Sequence, residues 1–130
     1  MKIIYSVKLF LVIFLLTSIS AYSEETSSRA PIGDWVTEKL HSSGAIITVQ
    51  MKIEENHKFS GSALVNGTVS WTFSGDWEVS GDELTYTYME SSKPLPANYK
   101  DTDIIISVND SSYHYKSKLS GEINTYTRIK

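Results

Sequence analysis

Residues 58–90, KFSGSALVNGTVSWTFSGDWEVSGDELTYTYME, hold three strands and the two turns that join them. Asn66-Gly67 separates two β-forming runs, Lys58–Val65 and Thr68–Ser80. This dipeptide favours the two-residue hairpin turn whose central residues both need positive φ. From Thr68 to Ser80 the odd positions Val69, Trp71, Phe73, Trp77 and Val79 are apolar and the even ones polar, the period of a half-buried strand. Gly75 shares that parity. A glycine inside a strand marks a bulge or a sharp bend, which so long a strand needs in order to wrap a barrel corner. Gly81-Asp82 turns the chain again, and Leu84, Tyr86 and Tyr88 then share one face of Glu83–Glu90.

The same period extends outward in both directions. Upstream, Ile47, Val49, Met51 and Ile53 alternate with Thr48, Gln50, Lys52 and Glu54, and Asp34–Leu40 reads as a strand before them. Downstream comes the long connection SSKPLPANYKDT, residues 91–102, in which two prolines argue for a loop. Asp103–Asn109, Tyr113–Leu119 and Glu122–Lys130 read as three further strands, split by NDSS and SG. Short turns make sequential strands antiparallel neighbours. The expected fold is all-β: a single eight-stranded antiparallel up-and-down β-barrel, whose closure removes the edges an open sheet leaves exposed. A two-sheet sandwich shares this strand pattern, and periodicity alone does not separate the two.

The N-terminus is of another kind. Lys2 and Lys8 precede the apolar run Leu9–Leu16, and TSISAYS then turns small and polar, the order of a secretory signal peptide spanning 1–23. The run is shorter than the roughly 18 residues a membrane-spanning helix needs. Residues 24–31 then form a flexible lead-in, and 32–130 the barrel domain. The chain has no cysteine, so neither a disulfide framework nor a lipid-anchoring thiol is available. Net charge is −3 before Lys2 and Lys8 are removed and more negative after. An acidic exported chain is poorly suited to nucleic acid or anionic membrane. The expectation is a periplasmic or secreted protein.

Gly-Asp-Trp occurs twice, at 33–35 and 75–77. The residues that follow, VTEKLHSSG and EVSGDELTY, share too little for an internal repeat. A Gly-x-Trp opening the first strand of an eight-stranded meander, here Gly33 and Trp35, with an arginine closing the last strand, here Arg128 in YTRIK, resembles the calycin superfamily of lipocalins, avidins and fatty-acid-binding proteins. More closely, SGDWEVSGDELTYTY with the terminal GEINTYTRIK is similar to small bacterial lipocalin-like domains. The resemblance implies a barrel whose closed end carries Trp35 with Arg128 packed across its ring, a structural role for Gly33, Trp35 and Arg128. Relatives of the fatty-acid-binding type hold a carboxylate with Arg and Tyr two apart on the final strand. Tyr126 and Arg128 have that spacing in reversed order, and if Ile123 and Ile129 point inward, alternation places Asn124, Tyr126 and Arg128 outside.

No catalytic constellation is present. His41, His57 and His114 stand singly, without partners at metal-ligand spacing, and there is no nucleophile motif, so neither an enzyme nor a cofactor is expected. Binding is the better expectation. An eight-stranded barrel has an interior that either fills with side chains or holds one small ligand. Trp71, Tyr86, Tyr88 and Tyr115 share the inward parity of their strands and are the candidate contacts for a small hydrophobic or amphipathic ligand. Short strands tilt the balance towards a solid interior, in which case the protein acts through its surface. The 91–102 loop is then the candidate contact for a protein partner.

Overall fold

The computed structural model describes residues 30–130. The segment read as a signal peptide, 1–23, lies outside them. Eight strands follow in order: β1 Gly33–Leu40, β2 Ile46–Ile53, β3 Lys58–Val65, β4 Thr68–Ser80, β5 Glu83–Ser91, β6 Lys100–Val108, β7 Ser112–Ser117 and β8 Ile123–Arg128. Each pairs antiparallel with its sequence neighbour, and β8 returns to β1, so the sheet closes into a barrel and the sandwich is excluded. Closure is narrow: β1 and β8 meet only at Trp35↔Arg128 and Val36↔Thr127.

The Asn66-Gly67 turn has φ of 49° and 83°, as a two-residue hairpin between twisted strands requires. β4 does not hold one parity throughout. Ala63 faces Trp71 but Leu64 faces Val69, so Ser70 is an extra residue that flips Val69 outward, where it is 56% exposed. A second bulge lies opposite Gly75, on β5, where Met89 is the extra residue: Ser74 faces Glu90 and Gly75 faces Tyr88. A Cβ on Gly75 would stand 1.9 Å from the Thr87 carbonyl oxygen and 3.0 Å from the Phe59 ring, so only glycine lets β4 and β5 approach this closely. A third bulge, at Ile106 in β6, puts both Ile105 and Val108 against the core.

The strand limits differ most from the sequence reading at the start of β6 and the end of β7, and β8 is shorter at both ends. β6 begins at Lys100, because Asp101 and Thr102 pair with Tyr86 and Thr85, and the Thr85 and Thr102 hydroxyls meet at 3.0 Å. The loop therefore shrinks to 92–99. β7 ends at Ser117, where the chain turns through Gly121, whose amide donates to the Ser117 carbonyl at 2.8 Å.

The last strand corrects the conditional expectation outright. Its register with β7 is unbroken, with Tyr113 facing Tyr126 and Tyr115 facing Asn124. Tyr126 is buried, while Ile123 and Ile129 are exposed. Asn124, Tyr126 and Arg128 are the inward set. The stacked rings of Tyr113, Tyr115 and Tyr126, 5.2–5.9 Å apart, bury more apolar surface than two isoleucines at the strand ends.

Candidate functional site

The two ends of the barrel are built differently. At the end holding the β2–β3, β4–β5 and β6–β7 turns, the interior is solid. Trp35 is fully buried, and its indole N–H donates to the Pro31 carbonyl at 2.9 Å. The Arg128 guanidinium lies 4.3 Å from the Trp35 ring centroid. It donates to the carbonyls of Ile32 at 3.0 Å and Asp110 at 2.8 Å, so the charge is satisfied by backbone while its face covers the indole. Gly33, with φ of 139°, leaves room for this arrangement, since a Cβ there would fall 2.2 Å from Arg128 Nη1. Trp77 closes the same end from β4. Its N–H donates to the Glu54 carbonyl at 2.9 Å, and His57 stacks on its ring at 4.5 Å. The two Gly-Asp-Trp segments thus serve one end of the barrel from opposite strand termini. Arg128, turned towards Trp35 and the backbone carbonyls, does not join Tyr126 around a carboxylate.

At the other end, where the β1–β2, β3–β4, β5–β6 and β7–β8 connections lie, a cavity of about 220 Å³ enters the barrel. Trp71, Tyr86, Tyr88 and Tyr115 all line it, together with Val49, Met51, Ala63, Phe73 and Tyr126. Small Ala63 and Gly61 stand on β3 across from large rings on β4, and a Cβ on Gly61 would collide with Phe73. Tyr88 is held edge-on to Phe59 at 5.2 Å and parallel to Trp71 at 6.0 Å. Trp71 is fixed in turn by its N–H, which donates to the Ser91 hydroxyl at 2.7 Å. These are rigid walls, since each ring is held by others.

The polar groups of the cavity come from β6, β7 and β8: Asp101, Asp103, Ser117, Asn124 and, from the β7–β8 turn, Ser120. Asp103 is 6% exposed, the only buried charged side chain among the described residues, and none of their hydrogen bonds or ion pairs engages its carboxylate. Burial, with Asp101 beside it, pushes its carboxyl up to about 7. Asp101 is raised as well, by burial, with the Thr102 amide acting in the opposite sense. The Tyr115 hydroxyl is pushed up to about 12 by burial and the negative charge of Asp103, and burial raises Tyr88 further. The Tyr86 and Tyr113 hydroxyls are buried with no hydrogen-bond partner among the described residues except one another, and Tyr113 packs against Trp35 rather than lining the cavity. Buried polar groups are normally paired, so the open carboxylate of Asp103 is unusual.

Asp101, Asp103 and Asn124 are not among the candidates read from the sequence, and Tyr126 enters that reading only beside Arg128 as a carboxylate partner. A signal for the two aspartates exists in KDTDIII, where Asp101 and Asp103 share the parity of Ile105. A strand begun at Asp103 leaves Asp101 in a loop and hides it. A neighbouring depression of about 250 Å³, lined by Thr37, Glu38, Lys39 and Ile47, shares Val49, Tyr115, Asn124 and Tyr126 with the cavity. It lies where β1 and β8 part beyond Val36, with Lys39 Nζ donating to Glu122 Oε2 at 2.6 Å across the gap. The exposed apolar side chains Leu40, Ile46, Val65, Val69, Met89, Leu119 and Ile123 also belong to this end. Loop 92–99 and the end of β5 bound a further open cleft of about 520 Å³.

All-β, closed and antiparallel, the chain is a small eight-stranded barrel with an aromatic cavity at one end. Compared with protein-family models and with curated proteins, it matches none. Among the described residues no three His, Cys, Asp or Glu side chains are grouped to hold a metal ion, and no helix is long and apolar enough to cross a membrane.

Proposed function

We propose that this chain is an exported, lipocalin-like barrel of the calycin kind that binds a small hydrophobic or amphipathic molecule in its open end. The observation that carries the reading is the cavity of about 220 Å³ walled by Trp71, Tyr86, Tyr88 and Tyr115. Ligand sites are typically concave, mostly aromatic or aliphatic, and furnished with a few polar groups that fix orientation. The role is binding and not catalysis. The closed end, with Trp35 under Arg128 and Gly33 beside them, supports the same kinship, because the layout the resemblance implies recurs in geometry.

The exposed apolar rim favours one second reading: contact with a protein partner through the rim and residues 91–102. Native mass spectrometry of the protein purified from its own host, followed by organic extraction, separates the two. A stoichiometric small molecule, lost when Tyr88 and Tyr115 are replaced by charged residues, supports the carrier. A bare polypeptide mass, with no thermal shift across lipids, fatty acids and aromatic metabolites, refutes it and directs the search to protein partners.

A further inference from the structure

We infer that the open-end cavity selects a small organic cation, an aromatic or short alkyl amine, whose ammonium group is received by Asp103 and Asp101 while the surrounding rings enclose its apolar part. The inference rests on the carrier reading and adds the chemical class of the ligand. Its first support is the state of Asp103, a carboxylate 6% exposed that lines the cavity and meets no cation. Lys39 is paired with Glu122 and Lys118 with Glu83, and no ion pair among the described residues brings Lys93, Lys100 or Lys116 to either aspartate. The guanidinium of Arg128 is committed to carbonyls at the closed end. The titratable groups facing Asp103 are Asp101 on its own strand, Tyr86 and Tyr88 on β5, Tyr113 and Tyr115 on β7, and Tyr126 on β8, none of them a cation.

A second support is independent of the carboxylates. Tyr86, 2% exposed and lining the same cavity, has a hydroxyl whose one neighbour among the described residues is the Tyr113 hydroxyl, itself otherwise unpaired. Two hydroxyls form one hydrogen bond between them, and the capacity left over costs stability unless something supplies a further partner. An ammonium supplies three donors and a positive charge, and the faces of Tyr88, Tyr115 and Trp71 are attractive to cations as well as to apolar carbon. A bare divalent metal suits hard oxygen ligands in larger number than this aromatic wall offers. An anion would meet two carboxylates. Scaled from cavities of about 150 Å³ that hold benzene, the space here suits a molecule of roughly nine non-hydrogen atoms.

Three probes of one skeleton test this: phenethylamine, protonated at pH 8, neutral 2-phenylethanol and anionic phenylacetate, each titrated calorimetrically into the purified protein. The expected result is phenethylamine binding at least tenfold more tightly than 2-phenylethanol, with phenylacetate weakest. Asp103→Asn then costs the amine at least tenfold and leaves the alcohol within about twofold. Asp101→Asn, on a more accessible residue, costs the amine about threefold or more and supplies the comparison if D103N does not fold. Equal binding of amine and alcohol, or an amine preference that survives both substitutions, overturns the inference while the cavity remains a ligand site. Binding of none of the three also overturns it, and the carrier reading then stands or falls separately on whether extraction from the host yields another molecule.

Discussion

At the closed end of the barrel the tryptophans and the arginine are paired; at the open end the buried carboxylate is not. Trp35, Trp77 and Arg128 all find backbone carbonyls, and each contact also covers apolar surface. Asp103 is buried with no partner for its carboxylate, and the Tyr86 hydroxyl has none beyond that of Tyr113. Folding alone favours the first arrangement and penalises the second, because an unpaired buried group keeps its desolvation cost. One chain therefore contains a region organised for stability and another that gives stability up. Such a concession is expected where a ligand completes the pairing.

Substitutions at the closed end carry the largest expected effect. Trp35→Ala leaves a cavity under Arg128 and is expected to cost about 3–5 kcal/mol in urea unfolding, enough to unfold much of a domain of this size. Arg128→Lys comes next. A lysine keeps the charge but not the planar fork that serves two carbonyls and covers the indole, and a loss of about 1–3 kcal/mol is expected. If either substitution is neutral, the closed end is not the stabilising half.

The open end predicts the opposite sign. A carboxyl raised to about 7 in the folded chain from an ordinary value near 3.9 holds its proton through a range where the unfolded chain has released it. Its contribution is then fully favourable below about pH 4 and is lost as pH rises through 7, a fall on the order of 3 to 4 kcal/mol. Denaturant titrations at pH 4, 6 and 8 check this for the ligand-free protein, against a background set by the other carboxylates. Asp103→Asn removes the ionisation, so D103N should match the parent at pH 4 and exceed it at pH 8. A variant less stable at pH 8 would mean that the carboxylate is satisfied, and the contrast between the ends would disappear.

The closed end was far more legible in sequence than the open one, for a physical reason. Tryptophans beside glycines, alternating parity and an Asn-Gly turn are local signals, and β3 and β4 run between the residues that periodicity marks, Lys58–Val65 and Thr68–Ser80. The parity of Tyr86, Tyr88 and Tyr115 placed their rings in the cavity lining for the same reason. Ser70 and Ile106 are bulges set by the register of a neighbouring strand, which no local pattern in β4 or β6 announces. Asp101 and Asp103 look like solvated residues after a proline-rich loop until Tyr86 and Thr85 are seen to pair with that segment. In β8, two isoleucines signalled the wrong face because Tyr126 gains more from its stack with Tyr113 and Tyr115 than Ile123 loses at an exposed rim.

The smallest expected effect lies on the seam between the ends. β1 and β8 share only two residue pairs, both beside Trp35, and beyond Val36 the strands are bridged by the exposed Lys39–Glu122 ion pair. An exposed pair of this kind contributes little to global folding and less in salt. Glu122→Gln should therefore leave the urea midpoint unchanged within error. Local opening is a different quantity, because the unpaired lengths of β1 and β8 have little else to hold them together at the rim. Amide exchange at Glu38–Leu40 and Ile123–Thr125 should accelerate in the variant and in high salt, while exchange at Trp35 and Val36 stays slow. If both stretches exchange alike, the barrel opens as one unit, and the division between a stable closed end and a yielding open one does not extend to its motions.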